Sequence, residues 1–244
     1  MGISFEQGSL NNIASFRGLI SICINLGSSY NPPKAILRIE RLNSLLTETD
    51  AALKKWNDLR KEFIQSEYDC GNIFRDVIAL GREVLRVFES SHAPRQVTTV
   101  VSGHYNMLFF RGKKRRFGRL DEKTDREMLE AHHGREKVIE AFDNFIAFIE
   151  NEPSYHPNDP SLEVSALRAF RVRLCAADDT VLTSSMKERN ARLIRNKYMC
   201  EKDRGLVDVA LAVKEYFSTS IPVASEQYRE HFKFNITKFT TIRF

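Results

Sequence analysis

Apolar residues recur every three to four positions along most of this chain. Ile13, Phe16, Ile20 and Cys23 fall on one helical face, and Val138, Phe142, Phe145 and Ile149 do the same in the second half. Each run leads into a Tyr-x-Pro, Tyr30-Asn31-Pro32 and Tyr155-His156-Pro157. Proline disfavours helix in the residue before it and suits the first turn of the next, so both sites read as helix ends. A longer heptad stripe follows through Ile39, Leu42, Leu46, Thr49, Leu53, Trp56 and Phe63, with Thr49 and Arg60 the polar residues at seam positions. A helix of about 30 residues, roughly 45 Å long, is expected there, packed in a long antiparallel bundle. A third helix is predicted through Phe74, Val77, Leu80, Val84 and Phe88, answered by Leu206, Val209, Val213, Tyr216 and Phe217. Gly71 and Gly205 stand just before these runs, where one helix is expected to stop and the next to begin.

The two halves match collinearly. With Tyr30 on Tyr155, Leu37, Ile39, Leu42 and Leu45 fall on Leu162, Val164, Leu167 and Phe170. Upstream, Phe16, Leu19, Ile20 and Asn25 fall on Phe142, Phe145, Ile146 and Asn151. Downstream, Ile64, Tyr68 and Cys70 meet Ile194, Tyr198 and Cys200, and Asp76-Val77 and Arg82-Glu83 meet Asp208-Val209 and Lys214-Glu215. Self-similarity of this kind marks a duplication. The expected fold is all-α: two tandem three-helix units, residues 1–110 and 125–244, joined by a basic linker at 111–124, with pseudo-two-fold symmetry. Alternating Phe232, Phe234 and Ile236, partly Thr240, Ile242 and Phe244, and the short apolar run Met107 to Phe110 leave room for a small two-stranded ribbon.

The run Asn151-Glu152-Pro153-Ser154-Tyr155-His156-Pro157-Asn158, Leu162-Glu163-Val164, the stretch Asn190-Ala191-Arg192-Leu193-Ile194-Arg195-Asn196 and Gly205-Leu206-Val207-Asp208-Val209-Ala210 together resemble an uncharacterised bacterial family of internally duplicated helical proteins. The likeness covers most of residues 135 to 240 and, more weakly, the first half. It implies the duplication and, as that family has no assigned activity, supplies no mechanism.

Composition narrows the class. The 244 residues are 42% hydrophobic and 28% charged, too apolar for a disordered chain and long enough for a core without disulfide or metal staples. No stretch of roughly 18 uncharged apolar residues occurs. The opening Met-Gly-Ile-Ser-Phe-Glu has neither the basic and apolar regions of a leader nor the hydroxyl residue of a myristoylation signal. The expectation is a cytoplasmic protein with no membrane partner. Cys23, Cys70, Cys175 and Cys200 lie far apart and read as buried reduced thiols, with a redox pair among the repeated Tyr-x-Cys positions as the sharper alternative.

Candidate chemistry is sparse. Glu89 to His92 and Glu130 to His133 have the Glu-x-x-His spacing of di-iron bundles. Neither recurs in the other half, and Ala93-Pro94 puts His92 at a helix end, so no metal and no cofactor are expected. No nucleophile elbow, phosphate-binding glycine loop or His-Glu-x-x-His occurs, and the acidic and basic side chains spread over polar helix faces. No catalytic residue, and so no enzyme, is expected. Tyr68 with Cys70 and Tyr198 with Cys200 are expected to pack alike at the turn before each third helix. The densest signal is Arg111-Gly112-Lys113-Lys114-Arg115-Arg116-Phe117-Gly118-Arg119, which accounts for most of the net charge of +5. Such a run is either a solvated connector or a phosphate-contacting element with Phe117 free to stack on a base. The leading expectation is a non-enzymatic helical scaffold or interaction module whose partner is another protein or its own copy. Sequence-independent nucleic-acid binding through Arg111, Lys113, Lys114, Arg115, Arg116 and Arg119 comes second, and a helical membrane-inserting toxin third.

Overall fold

A computed structural model of the chain describes residues 5–91, 93–109 and 125–220, including side chains except at 5–7 and 125–131. Among the described residues all regular structure is helical and no strand occurs. The α-helices are α1 (Phe5–Asn25), α2 (Ile39–Ser90), α3 (Arg95–Leu108), α4 (Asp125–Glu150), α5 (Val164–Cys200) and α6 (Leu206–Ser220). Short 3-10 turns at Ala35–Leu37 and Pro160–Leu162 lead into α2 and α5. The ribbon expectation fails where it can be followed: Met107 and Leu108 are the last turn of α3. The run from Phe232 to Phe244 lies outside the described residues.

The predicted stripe is the buried seam of α2, but the predicted stop at Gly71 is not there. The helix runs on for 52 residues to Ser90. The apolar phase explains it. Leu42, Thr49, Trp56, Phe63, Cys70, Val77 and Val84 are spaced by sevens, and all are buried. One seam therefore carries through Gly71, which is exposed and whose Cα faces open space. Thr49 fits the seam because its hydroxyl donates to the Leu45 carbonyl at 2.7 Å. The expected third helix of the first half is thus the end of α2, and α3 is a helix beyond it that the apolar pattern did not announce. Gly205 does break the chain: the Gly205 N–H donates to the Glu201 carbonyl at 2.7 Å, beside Asp203 at φ 63°. A Cβ at Gly205 would lie within 2.6 Å of the Glu201 nitrogen, so only glycine fits this turn.

The chain divides into two compact units, Met1–Arg60 with Lys187–Phe244, and Lys61–Met186. Neither coincides with a half of the sequence: α2 and α5 each supply a stretch to both. In the first unit α1 packs against α6 around Phe16, Leu19, Leu42, Val213 and Phe217. The Tyr30 hydroxyl donates to the Leu37 carbonyl at 2.6 Å, and its ring meets Tyr216 and Phe217 edge-on at 5.6 and 5.9 Å. In the second unit α3 packs against α4 around Phe88, Leu108, Phe142, Phe145 and Leu167. There the Tyr155 hydroxyl donates to the Leu162 carbonyl, again at 2.6 Å, and its ring stacks on Phe88 at 5.2 Å.

Tyr68 and Cys70 do not match Tyr198 and Cys200 in surroundings. Tyr68 is 63% exposed and Cys70 buried, whereas Tyr198 is partly buried and Cys200 exposed. The cause is the helix itself: α2 continues past Cys70, while α5 ends at Cys200. The expectation of four buried thiols holds for Cys23 and Cys70; Cys175 is half-buried.

Candidate functional site

Among the described residues the buried charged side chains, Asp178, Glu188 and Arg195, fall in two places, one in each unit. In the second unit an open groove of about 340 Å³ lies between α4 and α5. Its centre is Asp178, 3% exposed, set in the apolar seam of α5 between Leu174 and Val181. A buried carboxylate must be paired. Arg135 donates to Asp178 Oδ1 through Nε, and His132 Nδ1 lies 2.8 Å from Oδ2. His132 Nε2 is in turn 3.3 Å from Glu136, which also holds His133 at 2.9 Å. Further along, Arg171 grips Asp143 with both Nε and Nη2, at 2.9 and 2.7 Å. That two-pronged pair keeps the guanidinium charged more firmly than usual. Ile139 and Cys175 floor the groove, and Glu140 and Asp179 stand exposed at its rim.

In the first unit the buried polar centre is Trp56. Its Nε1 donates to Glu188 at 2.7 Å, and the guanidinium of Arg195 lies 3.9 Å from the ring centroid. Glu188 and Arg195 continue, by sevens, the seam that begins with Leu167, Leu174 and Val181. Arg195 is only 2% exposed, and burial lowers its pKa to about 10, with Arg192 adding to the effect and Glu188 opposing it. Stacking on the indole face offsets part of that desolvation. Arg60 lies 5.2 Å from the same ring.

In both centres the charged groups are engaged with one another or with a ring. In the groove the carboxylates of Asp178 and Asp143 are taken up by guanidinium groups, and around Trp56 burial disfavours the charge of the one deeply buried cation. Among the described residues no three His, Cys, Asp or Glu side chains converge as a metal site requires. Buried thiols are held in their neutral form: burial pushes Cys23 and Cys70 up to about 11. Among the described residues no helix is long and apolar enough to cross a membrane.

Of the residues singled out from sequence, Glu89 is exposed near the end of α2 and His133 is exposed on α4. His92, the side chain of Glu130 and all six cations Arg111, Lys113, Lys114, Arg115, Arg116 and Arg119 lie outside the described residues. The buried Asp178, Glu188 and Arg195 escaped the sequence reading, although a charged residue in phase with an apolar seam was the signal available.

The remaining feature is α3. From Gln96 to Phe110 the chain has no Asp, Glu, Lys or Arg, where fifteen residues of this 28% charged chain would hold about four. Val97, Val101 and Leu108 turn inward, and His104 lies against Phe148 at 5.2 Å. Outward the helix shows Gln96, Thr99, Val100, Gly103, Asn106 and Met107, with Met107 64% and Val100 45% exposed. Comparison with protein families, curated proteins and solved structures finds no match for this chain, so the resemblance to a duplicated helical family rests on the quoted residues alone.

Proposed function

We propose that this protein is a duplicated, cytoplasmic helical scaffold that works without catalysis, by presenting helix surfaces to another protein or to its own copy. The observation that carries this reading is the outer face of α3, which is uncharged from Gln96 onward. Isolated exposed apolar side chains are ordinary, but on a charge-rich protein an exposed helix that carries no charge from Gln96 onward and shows Val100 and Met107 to solvent is a surface suited to contact. The duplication is supported by the Tyr30 and Tyr155 bonds, equal in length and both reaching seven residues ahead. The free thiols at Cys23, Cys70, Cys175 and Cys200 accord with a reducing compartment.

A photo-crosslinking residue placed next to Met107, read together with sedimentation velocity over a range of concentrations, tests the reading. The expected result is self-association or a discrete cross-linked partner, lost in a Val100→Glu, Met107→Glu variant whose helicity is unchanged. Identical sedimentation and cross-linking in wild type and variant would remove α3 as the interface. Nucleic-acid binding through Arg111 to Arg119 is the second reading, favoured by six cations in nine residues.

A further inference from the structure

Each compact unit is built from both sequence halves. α1 and the start of α2 come from the first half; the end of α5 and α6, which complete that unit, come from the second. The other unit reverses the arrangement, with the end of α2 and α3 from the first half and α4 and the start of α5 from the second.

The aromatic contacts are exchanged in the same sense. Tyr30, in the first half, meets Phe217 in the second; Tyr155, in the second half, meets Phe88 in the first. α6 and the end of α2 carry matching rows, each within the core of the unit it joins. Leu206, Val209, Val213 and Phe217 stand at positions 1, 4, 8 and 12 of their row, and Val77, Leu80, Val84 and Phe88 stand at the same positions of theirs. The buried members are alike at three of the four places: Leu206 and Val77, Val213 and Val84, Phe217 and Phe88. This correspondence sets Val77 beside Leu206, three residues from the sequence pairing of Val77 with Val209. It rests on the two phenylalanines, each of which meets a tyrosine ring.

We propose that the repeat is a pairing module: the apolar face that its Tyr-x-Pro segment leaves open is recognised and closed by the apolar row of a second copy of the repeat, and the chain is a tethered pair of mutually completing copies. The proposal rests on the duplication reading. It identifies the partner of each repeat by chemistry, as a helix carrying aliphatic side chains at spacings of three, four and four with a phenylalanine at its end, seated against a buried tyrosine ring. A repeat without its counterpart would expose Phe16, Leu19 and Leu42, which are now almost fully covered.

Hydrogen exchange on the full chain, read by mass spectrometry, tests it with Phe217→Leu and Phe88→Leu. If the repeats complete each other, Phe217→Leu accelerates exchange in residues 8–25 and in α6 by about tenfold and leaves α4 at its wild-type rate. Phe88→Leu should do the converse, loosening α4 and residues 151–163 and sparing α1. Should Phe217→Leu fail to fold, Tyr216→Leu, at a half-buried ring on the same contact, serves in its place. Acceleration that follows the sequence halves, with α4 and α5 loosened by Phe217→Leu and α1 untouched, would overturn the proposal. So would uniform acceleration of all six described helices. Either failure leaves the duplication standing, because that is decided separately, by whether α1 and the start of α2 superpose on α4 and the start of α5 in a crystal structure of the protein.

Discussion

Tyr30 and Tyr155 do one job twice. Each ring closes the end of a helix, and each hydroxyl donates to a carbonyl seven residues on, where a 3-10 turn presents that oxygen inward. Both phenols are buried. Desolvation raises the Tyr155 pKa to about 12, and Tyr30 is raised further, first by burial and then by Cys23 beside it. Removing either hydroxyl strands a buried carbonyl, so Tyr155→Phe should cost about 1–3 kcal/mol in urea denaturation and Tyr30→Phe at least as much. An unchanged midpoint in both would show that the bonds do not hold these turns. The tyrosines were legible in the sequence as helix-end residues, because proline two places on has a local effect. The reach of the hydroxyl was not, since it depends on a turn formed five to seven residues later. Asp178 and Arg195 were hidden for a related reason: charge is read as solvent-facing unless the partner that neutralises or stacks on it is known, and Arg135 and Trp56 are 43 and 139 residues away in sequence.

At the scale of elements, α2 and the α5–α6 corner show what a glycine does when its surroundings differ. Both Gly71 and Gly205 precede an apolar row, and composition treats them alike. At Gly71 the seam by sevens continues on either side and the residue is exposed, so the helix absorbs it at the usual propensity cost. Gly71→Ala should therefore stabilise the protein by about 0.5–1 kcal/mol. At Gly205 the added methyl would press on the backbone of Cys200 and Glu201. Gly205→Ala should destabilise by about 1–3 kcal/mol, as overpacking commonly does. Thermal unfolding of the two variants checks the pair, and equal shifts would mean the helix boundary has been misassigned. The phase of the seam, not the glycine, was the readable signal, and it becomes visible only when heptads are counted through the residue. The uncharged run that forms α3 after Arg95 was also readable, but its Val, Thr and Tyr residues suit extended chain as well as helix, and only packing against α4 decides between them.

For the whole molecule, charge and connectivity govern behaviour. The excess of +5 is concentrated where Arg111 to Arg119 join the halves, and nucleic-acid affinity, if it resides there, must be electrostatic. With about four phosphates engaged by Lys113, Lys114, Arg115 and Arg116, log K against log salt should slope at roughly −3.6 on duplex DNA. Anisotropy titrations at several salt concentrations measure it. Replacing the four cations by Ala should flatten the line without loss of helicity, and wild-type protein that fails to bind at low salt would end that reading. All-helical architecture and its seams follow from apolar spacing, which is local. The grouping of helices into units is set by long-range contacts and was not legible. The Tyr30 and Tyr155 turns share a spelling, Tyr-x-Pro-x-x-x-x-Leu, in which the tyrosine, the proline and the leucine whose carbonyl it binds keep fixed distances. That string is a fossil of gene fusion if the halves arose from one ancestor. A descendant of the unfused gene, about half this length and bearing the string once, would have no second copy in cis. It would have to be an obligate homodimer, with two polypeptides exchanging the helices that here belong to one.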